Sequence, residues 1–380
     1  MISHQDACAL VDTPAAGLPE LCARAGELRD RGRGRTVTFS AKVFVPLTTL
    51  CRDYCGYCTF RRDPDEPGAH TMAPDEVVAL AQAGARLGAK EALFSLGDKP
   101  EAAFASHREF LRRHGHRTTL SYLRAVCAAV LAESPLLPHA NPGVMGERDL
   151  AALREVNVSM GIMLETVSER LLGRGMAHDR APDKVPARRL RTIALAGKLG
   201  IPFTTGVLIG IGETRRERVD TLVAIRDLHE KHGHIQEVIV QNFRAKPRIP
   251  MRDAPEPTLE GLLWTLAVAR LVLGPDVNIQ APPNLSPDVY PRLLAAGLND
   301  WGGISPLTLD HINPEKPWPL IPELRRATES QGFVLRERLA IYPEFAARAE
   351  YLDEGLRPRV QALVDERGLV KESHERWRRW

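Results

Sequence analysis

The sequence contains no run of about 18 or more apolar residues, the length that a membrane-spanning helix requires. It also lacks a charge imbalance, since 51 lysines and arginines accompany 48 aspartates and glutamates, a formal net charge of +3. The basic runs at residues 30–35 and at the C-terminus are too short to indicate a nucleic-acid patch. We therefore expect neither a membrane nor a nucleic acid as a partner.

Cysteine is scarce as well, with six residues in a chain of 380. That number does not suggest the disulfide-rich scaffold of a small secreted domain. The N-terminus has polar and acidic residues where a signal peptide has a basic start and an apolar run. A reducing cytoplasm is the expected compartment. Cys8, Cys22 and Cys127 lie among alanines and leucines and are interpreted as buried apolar residues.

From residue 36 to about residue 305, short apolar segments alternate with longer amphipathic ones. The pattern is typical of βα units, in which strands of about five to eight residues precede helices. About eight such units predict an α/β fold, a (β/α) barrel of the TIM type, complete or partly open. An open doubly wound sheet is the alternative, although the first βα loop carries no G-x-G-x-x-G.

The predicted organisation has three parts. Residues 1–35 form a helical N-terminal extension, residues 36–308 the barrel, and residues 309–380 a C-terminal segment that wraps the surface and ends in helices. The proline-rich stretch after residue 305 predicts extended chain, and the sequence after residue 320 predicts short helices. The histidines of HEKHGH (residues 229–234) lack the spacing of a zinc protease and suit a helix end.

Three cysteines, Cys51, Cys55 and Cys58, lie on the loop after the first predicted strand with the spacing C-x3-C-x2-C. In a barrel this loop belongs to the C-terminal face, where active sites are built. Structural zinc and ferredoxin clusters normally take four ligands, and no fourth lies close by in the sequence. A disulfide does not suit a reducing compartment. The pattern favours a [4Fe–4S] cluster on three thiolates, with one iron open; zinc stays an alternative.

The segment CRDYCGYC, with Tyr57 before the last cysteine, resembles the C-x3-C-x-aromatic-C signature of the radical S-adenosylmethionine (SAM) enzymes. The resemblance implies that the open iron binds the amino and carboxylate groups of SAM. It also implies that the reduced cluster splits SAM into methionine and a 5′-deoxyadenosyl radical. The family's plan further implies cofactor contacts at Tyr57, Gly97, Asp98, Glu165, Arg189, Gly210 and Gly212.

Several of these positions have ordinary structural alternatives. The turn SLGD (residues 95–98) departs from the family's Gly-Gly-Glu-like turn, so only Gly97 and Asp98 carry over. Glu165 precedes residues that suit a helix N-cap, and Arg189 also suits a solvent-facing helical position. The segment GVLIGIGET (residues 206–214) resembles the family's motif near the adenine and lacks the G-K-[ST] of a phosphate loop.

Four longer segments resemble one branch of the superfamily, the 7,8-didemethyl-8-hydroxy-5-deazariboflavin synthases, which close the deazaflavin ring of coenzyme F420. They span about residues 36–320 and read TLCRDYCGYCTFRRDP, IPFTTGVLIGIGETRRER, EVIVQNFRAKP and GGISPLTLDHINPEKPWP. The resemblance implies a lyase that takes hydrogen from a 4-hydroxybenzyl–ribityliminouracil adduct, closes the ring and releases ammonia. It also implies a partner synthase subunit, separate or fused, and a ferredoxin or flavodoxin as electron donor.

Under this resemblance the substrate needs amides and charges among apolar walls. Gln241 and Asn242 on the sixth predicted strand, followed by Arg244 and Lys246, are candidates for uracil or ribityl contacts; surface or cap positions are the alternative. Asp310 and His311 lie where the C-terminal segment crosses the barrel mouth. They are candidates for proton transfer during ammonia loss, or members of a closing turn.

Other functions stay open on the sequence alone. One is the partner tyrosine-condensing subunit or a menaquinone-pathway radical enzyme, which share the cysteine signature. An electron-transfer cluster protein and a zinc-stabilised binding module belong to different classes.

Overall fold

Eight parallel strands close into a barrel in the computed structural model, which describes residues 1–375 and 377. Each strand pairs with the next one along the chain, and β1 pairs with both β2 and β8, so the ring is complete. The predicted α/β barrel is confirmed, and the open-sheet alternative is wrong. The strands are β1 (Thr36–Thr48), β2 (Glu91–Leu96), β3 (Leu137–Asn141), β4 (Ser159–Gly161), β5 (Phe203–Ile209), β6 (Ile235–Asn242), β7 (Asn278–Gln280) and β8 (Asp300–Ile304).

The helices between the strands pack on the outside of the barrel. β7 is followed by the 3₁₀ turn Tyr290–Ala296, and helix α2 of the N-terminal extension packs against that turn and against α10. In the part of the chain that the structure describes, no helix is long and apolar enough to cross a membrane. The helices are α1 (His4–Ala9), α2 (Leu18–Arg33), α3 (Pro74–Arg86), α4 (Pro100–Ala103), α5 (Ala105–Arg113), α6 (Thr119–Glu133), α7 (Glu147–Arg154), α8 (Pro186–Lys198), α9 (Arg215–His232), α10 (Leu259–Leu273), α11 (Ile321–Ser330), α12 (Pro343–Ala346) and α13 (Arg357–Leu363).

The C-terminal segment differs from its prediction in one element. Residues Val334–Glu337 form a ninth strand, β9, which pairs in parallel with the first residues of β1, from Thr36↔Val334 to Phe39↔Glu337. The prediction of helices throughout this region is therefore wrong here. The four residues are too few to show a period. The strand forms because β1 pairs with β2 only from Lys42 onward, which leaves the edge of its first residues free for β9.

A network of charged side chains fills the N-terminal end of the barrel. Arg338, which follows β9, is buried and donates to both carboxylate oxygens of Asp300 at 2.6 and 2.9 Å and to Glu237 at 3.0 Å. The Tyr342 hydroxyl also donates to Glu237, at 3.0 Å. Buried charges are tolerated when they are paired in this way. The C-terminal segment thus closes this end, and the opposite end stays available for chemistry.

Buried histidines make the fold sensitive to acid. Burial lowers the pKa of His139, on β3 inside the barrel, from 6.5 to about 4, and lowers that of His107 to about 4. His234, from the HEKHGH segment, is also buried, and its pKa falls to about 3. Because the unfolded chain binds these protons more readily, stability is fully present above about pH 6.5 and is lost as the pH falls toward 4.

We therefore expect the free energy of unfolding to fall between pH 6.5 and 4, by up to about 3 kcal/mol for each such histidine. Urea titrations at several pH values measure this dependence. The variant His139→Gln removes one of the titrating groups and should reduce the slope. The matched variant His114→Gln, at an exposed position, should leave it unchanged; equal slopes in wild type and His139→Gln contradict the assignment.

Candidate active site

The three cysteines lie at the C-terminal end of the barrel, on the loop that follows β1. Their side chains border one cavity of about 240 Å³, which we call the inner cavity. Residues from the ends of five strands and from α8 complete its wall. The residues that matter below are Cys51, Cys55, Cys58, Asp98, Glu165 and Arg189. The barrel thus brings most of the predicted cofactor residues to the same cavity.

Backbone groups hold the cysteine loop in place. The N–H groups of Asp98 and Asp53 donate to the Cys51 sulfur at 3.2 and 3.4 Å. Burial raises the pKa of the Cys51 thiol to about 12 and raises that of Cys55 well above its usual value. Thiolates at such buried positions need a cation to stabilise them, and a metal centre supplies it.

Gly97 allows the second strand to approach this loop. A Cβ atom built there lies 1.9 Å from the carbonyl oxygen of Leu50 and 2.6 Å from the Cβ of Cys51. Both distances are far below van der Waals contact, and one of the two atoms belongs to the backbone. Only glycine fits this position.

We expect Gly97→Ala to displace the cysteine loop and to lower the iron bound after anaerobic reconstitution by more than about tenfold. The secondary structure should be retained, because the clash lies at one strand end. The matched control is Gly146→Ala, where the added Cβ meets only Asp149 at 3.5 Å. Iron analysis with circular dichroism measures both variants, and normal iron content in Gly97→Ala is the contradicting result.

Glu165 is the centre of a buried polar cluster beside the cysteines. Its carboxylate accepts hydrogen bonds from the hydroxyl of Tyr57, from Lys184 Nζ at 2.5 Å and from His178 Nε2 at 3.1 Å. Burial alone raises the pKa of a carboxyl group, but Lys184, His178 and Arg189 outweigh it and hold the pKa of Glu165 well below its usual value. Glu165 is therefore an anion, and the helix N-cap alternative does not describe its contacts.

The backbone of Glu165 is also unusual, because its φ of 66° lies in the left-handed region. For a residue other than glycine this conformation costs roughly 1–3 kcal/mol, and it is found mostly at functional sites. Two hydrogen bonds between the main chain of Glu165 and β5 offset this cost. The N–H of Glu165 donates to Gly206 at 2.9 Å, and its carbonyl accepts from Leu208 at 3.1 Å.

Arg189 and Asp98 carry opposite charges on the wall of the inner cavity. Arg189 is buried on α8, so the solvent-facing alternative is wrong; it donates to the carbonyl oxygens of Met163 at 2.7 Å and Asp183 at 3.2 Å. Asp98 accepts from the N–H of Val144 at 3.0 Å and from Lys99 at 3.1 Å. Burial raises the pKa of Asp98.

The two glycines after β5 do not border the inner cavity. Gly210 and Gly212 have φ values of 89° and 103°, a conformation that favours glycine. The carboxylate of Glu213 accepts from the N–H groups of Gly210 and Ile211 at 2.9 Å each. These glycines form the turn after β5, and Leu208, near the end of β5, is the residue that borders the inner cavity.

Gln241, Asn242, Arg244 and Lys246 all border the inner cavity. The Asn242 amide donates to Leu285 at 3.3 Å, and among the described residues its buried oxygen has no partner. Arg244 donates hydrogen bonds to the carbonyl oxygen of Leu285 at 2.7 Å and to the carboxylate of Glu256 at 2.6 Å. The described residues provide no hydrogen bond or ion pair to the buried Lys246 ammonium, whose pKa is lowered by burial. Asn242 and Lys246 therefore have groups to offer a ligand.

Asp310 and His311 have different surroundings. Asp310 accepts from the N–H groups of Ile312 and Asn313 at 2.9 and 3.1 Å, and from the amides of Asn284 and Asn313 at 3.0 Å each. These four bonds give Asp310 the turn-closing role and leave no free lone pair for proton transfer. His311 borders a second cavity, and its buried Nε2 has no partner among the described residues.

Comparison with known proteins agrees with this geometry. The model of the Radical SAM superfamily matches residues 45–225. The FeFe-hydrogenase maturase HydG from Carboxydothermus hydrogenoformans superposes with a TM-score of 0.70 at 20% identity, over 89% of this chain and 77% of that one. Methylornithine synthase (PylB) gives 0.67 at 18% identity, over 88% of this chain and 94% of its own. At these identities the two structures show a shared fold.

Two closer relatives come from sequence. The FO synthase of Streptomyces coelicolor is 50% identical over 383 residues, which are 98% of this chain and 44% of that protein. The 7,8-didemethyl-8-hydroxy-5-deazariboflavin synthase of Methanopyrus kandleri is 50% identical over 335 residues, 88% of this chain and 100% of its own length. The chain belongs to this deazariboflavin synthase family of radical SAM enzymes. It spans less than half the length of the Streptomyces relative.

Membership of the deazariboflavin synthase family implies a [4Fe–4S] cluster and SAM, and the thiols fit such a cluster. In residues 1–375 and 377, three or more ligand atoms of His, Cys, Asp or Glu lie within 4.8 Å of one another in two places, and neither includes these cysteines. Sulfurs on one tetrahedral zinc lie about 4 Å apart. The three thiols are thus spread too widely for one zinc ion, and a larger inorganic core suits them.

Sequence reasoning about this family missed Lys184 and His178. Both lie in the irregular segment between β4 and α8, where no periodicity indicates which side chains point inward. The only available signal was a basic residue between prolines, in the run APDKVP. Their nearness to Glu165 is decided by how this segment folds over the cavity.

Proposed function

We propose that the chain is a radical SAM lyase that converts 5-amino-5-(4-hydroxybenzyl)-6-(D-ribitylimino)-5,6-dihydrouracil into 7,8-didemethyl-8-hydroxy-5-deazariboflavin. The reaction releases ammonia, 5′-deoxyadenosine and methionine. One observation carries this proposal: three thiols, a buried charged cluster and unpartnered amide and ammonium groups share one cavity at the C-terminal end of the barrel. The full-length match to the Methanopyrus synthase supports the ring-closing reaction in particular.

In this proposal Cys51, Cys55 and Cys58 hold the cluster. When bound, a [4Fe–4S] cluster supplies an open iron for SAM and the electron that cleaves it to methionine and a 5′-deoxyadenosyl radical. The protein keeps the thiolates in place through Gly97 and the two N–H groups on Cys51.

The charged wall suits the polar groups of SAM. In this proposal Asp98 accepts a hydrogen bond from the amino group of SAM, and Arg189 pairs with its carboxylate. Glu165, fixed by Tyr57 and Lys184, offers an anionic surface to the ribose hydroxyls. Gly210 and Gly212 contribute indirectly, because the turn they form positions the apolar end of β5.

Other residues suit the polar groups of the substrate, some on the inner cavity and one on the second cavity. Gln241 and the free oxygen of Asn242 suit the donor and acceptor edge of a pyrimidine. Lys246 suits a uracil or phenol oxygen. His311, with an unpartnered ring nitrogen, is the better of the two candidates for proton transfer, since Asp310 is fully engaged.

Two participants lie outside this chain. The substrate adduct requires a partner synthase activity, on a separate chain or fused, as the greater length of the Streptomyces relative allows. Reductive cleavage of SAM requires an external one-electron donor, for which a ferredoxin or a flavodoxin has suitable chemistry. We place all of these components in the cytoplasm.

The decisive assay supplies the reconstituted enzyme with the adduct, SAM and a reductant. The expected product is a fluorescent deazaflavin of the mass of the named compound, formed together with 5′-deoxyadenosine. Formation of 5′-deoxyadenosine without any deazaflavin would falsify the substrate assignment while leaving the SAM chemistry intact.

A further inference from the structure

A second and larger cavity shares two of the cysteines with the inner cavity. It has a volume of about 790 Å³, and we call it the outer cavity. Cys55 and Cys58 border both cavities, whereas Cys51 borders the inner one alone. These two thiols therefore border both the outer cavity and the proposed cluster position. The residues used below are Tyr54, Arg180, Lys246, Arg248 and Leu309.

The charged residues that line the outer cavity are mainly cations. Five of them, Arg61, Arg62, Arg180, Lys246 and Arg248, accompany two acids, Glu66 and Glu315. Arg61 is neutralised by Asp63 at 2.8 Å and by Glu66 at 3.8 Å. Across the described chain, no carboxylate lies within ion-pair distance of Arg62, Arg180, Lys246 or Arg248, so positive charge is concentrated here.

Arg180 and Arg248 place positive charge at the surface of the protein. Both are exposed, and the guanidinium of Arg180 lies over the ring of Tyr54 at 4.5 Å from its centroid. The main chain of Tyr54 donates to the carbonyl of Arg180 at 2.9 Å, which ties this arginine to the cysteine loop. Arg180 is thus held in position beside the loop.

Exposed apolar residues complete the rim. Leu309 keeps 56% of its surface exposed, and Pro247, Pro250 and Pro314 are exposed around the same opening. An apolar patch with basic residues around it is typical of a protein-binding surface that selects an acidic partner. An electron carrier must come close to the centre that it reduces, and this patch lies next to two of the proposed cluster thiols.

The proposed small molecules do not account for this charge. The adduct named above carries an amine, a phenol and hydroxyl groups, and has neither phosphate nor carboxylate. A cationic wall repels its amine. SAM has a single carboxylate, for which Arg189 is available in the inner cavity. Lys246 and His311 stay assigned to the substrate, and the exposed cations of the rim, Arg180 and Arg248, suit a different and more acidic ligand.

We propose that the rim of the outer cavity is the docking surface for an acidic one-electron carrier protein, recognised through Arg180 and Arg248. This inference rests on the proposed function, because reductive cleavage of SAM consumes one electron for each SAM. The carrier is oxidised by one electron, and the carbon–sulfur bond of SAM breaks to give methionine and a carbon radical. The basic rim orients the carrier so that its redox group faces Cys55 and Cys58.

The first test measures binding alone. Oxidised flavodoxin, an acidic carrier, is titrated into the wild-type protein and into the double variant Arg180→Glu/Arg248→Glu by calorimetry at low and high ionic strength. At low salt the variant's Kd should rise by about tenfold or more, and the wild-type Kd should rise with salt. The matched control, Arg112→Glu/Arg113→Glu on the exposed face of α5, should change the Kd by less than about twofold.

The second test measures 5′-deoxyadenosine formation with two reductants. With reduced flavodoxin the rate of the double variant should fall by about tenfold. With reduced methyl viologen, a small cation, the variant should keep the wild-type rate or exceed it. Circular dichroism checks folding, and Arg180→Ala/Arg248→Ala should give an intermediate effect.

Two results overturn the docking surface: an unchanged flavodoxin Kd in the double variant, or an equal loss of rate with both reductants. Failure of the proposed function looks different. In that case the wild-type protein forms no 5′-deoxyadenosine with methyl viologen, whatever the binding titrations show.

Discussion

Replacing Cys55 with alanine is expected to abolish iron–sulfur binding and to lower SAM cleavage by more than about 100-fold. Loss of a supporting group around a metal ligand already costs 10–100-fold, and Cys55 is proposed as a ligand itself. Fold stability should change little, since the substitution removes a single buried sulfur atom and leaves no polar atom unpaired. Iron and sulfide analysis, with a SAM cleavage assay, measures the effect.

Cys22→Ala is the matched control, because Cys22 is equally buried, on α2 away from the inner cavity. It should bind iron normally and cleave SAM at the wild-type rate. An active Cys55→Ala variant that holds no cluster would contradict the ligand assignment. Equal iron loss in both variants would instead indicate a general folding defect.

The second large effect is expected for Glu165→Gln. The substitution keeps the shape of the side chain and removes the charge that pairs with Lys184 at 2.5 Å. Leaving one member of a buried ion pair without its partner costs about 3–5 kcal/mol. We expect a large loss of thermal stability and a rise in the KM for SAM, because Glu165 and Lys184 both border the inner cavity.

A carboxylate at the surface provides the comparison. Glu217 pairs with Arg170 at 2.8 Å near the start of α9, where solvent weakens the interaction. Glu217→Gln should cost about 1 kcal/mol in stability and leave the KM for SAM unchanged. Similar losses in the two variants would show that the Glu165 cluster has no special role.

The sequence was most informative where periodicity and local spacing determine structure. Alternating segments predicted the barrel, which the structure has as a closed ring of eight parallel strands. The cysteine spacing, the position after β1 and the close approach of Gly97 are local features too. For these features, neighbours along the chain are also neighbours in space.

Contacts between residues that are distant in sequence could not be predicted from the local hydrophobic pattern. Strand β9 forms on an edge of β1 that lies about 300 positions earlier in the chain, and four residues carry no period that predicts it. Lys184 and His178 contact Glu165 because an irregular segment folds back over the cavity. Asp310 shows the opposite case, since its position at the mouth suggested chemistry and its four hydrogen bonds show a turn.

The most direct test of the proposed three-thiolate site is electron paramagnetic resonance of the reconstituted and reduced protein with and without SAM. We expect about four irons and four sulfides per chain. We also expect a [4Fe–4S]⁺ signal whose g values change when SAM is added, because the iron without a thiolate is the one that SAM reaches. A colourless protein that holds one zinc, or a cluster signal that SAM leaves unchanged, would contradict the three-thiolate site.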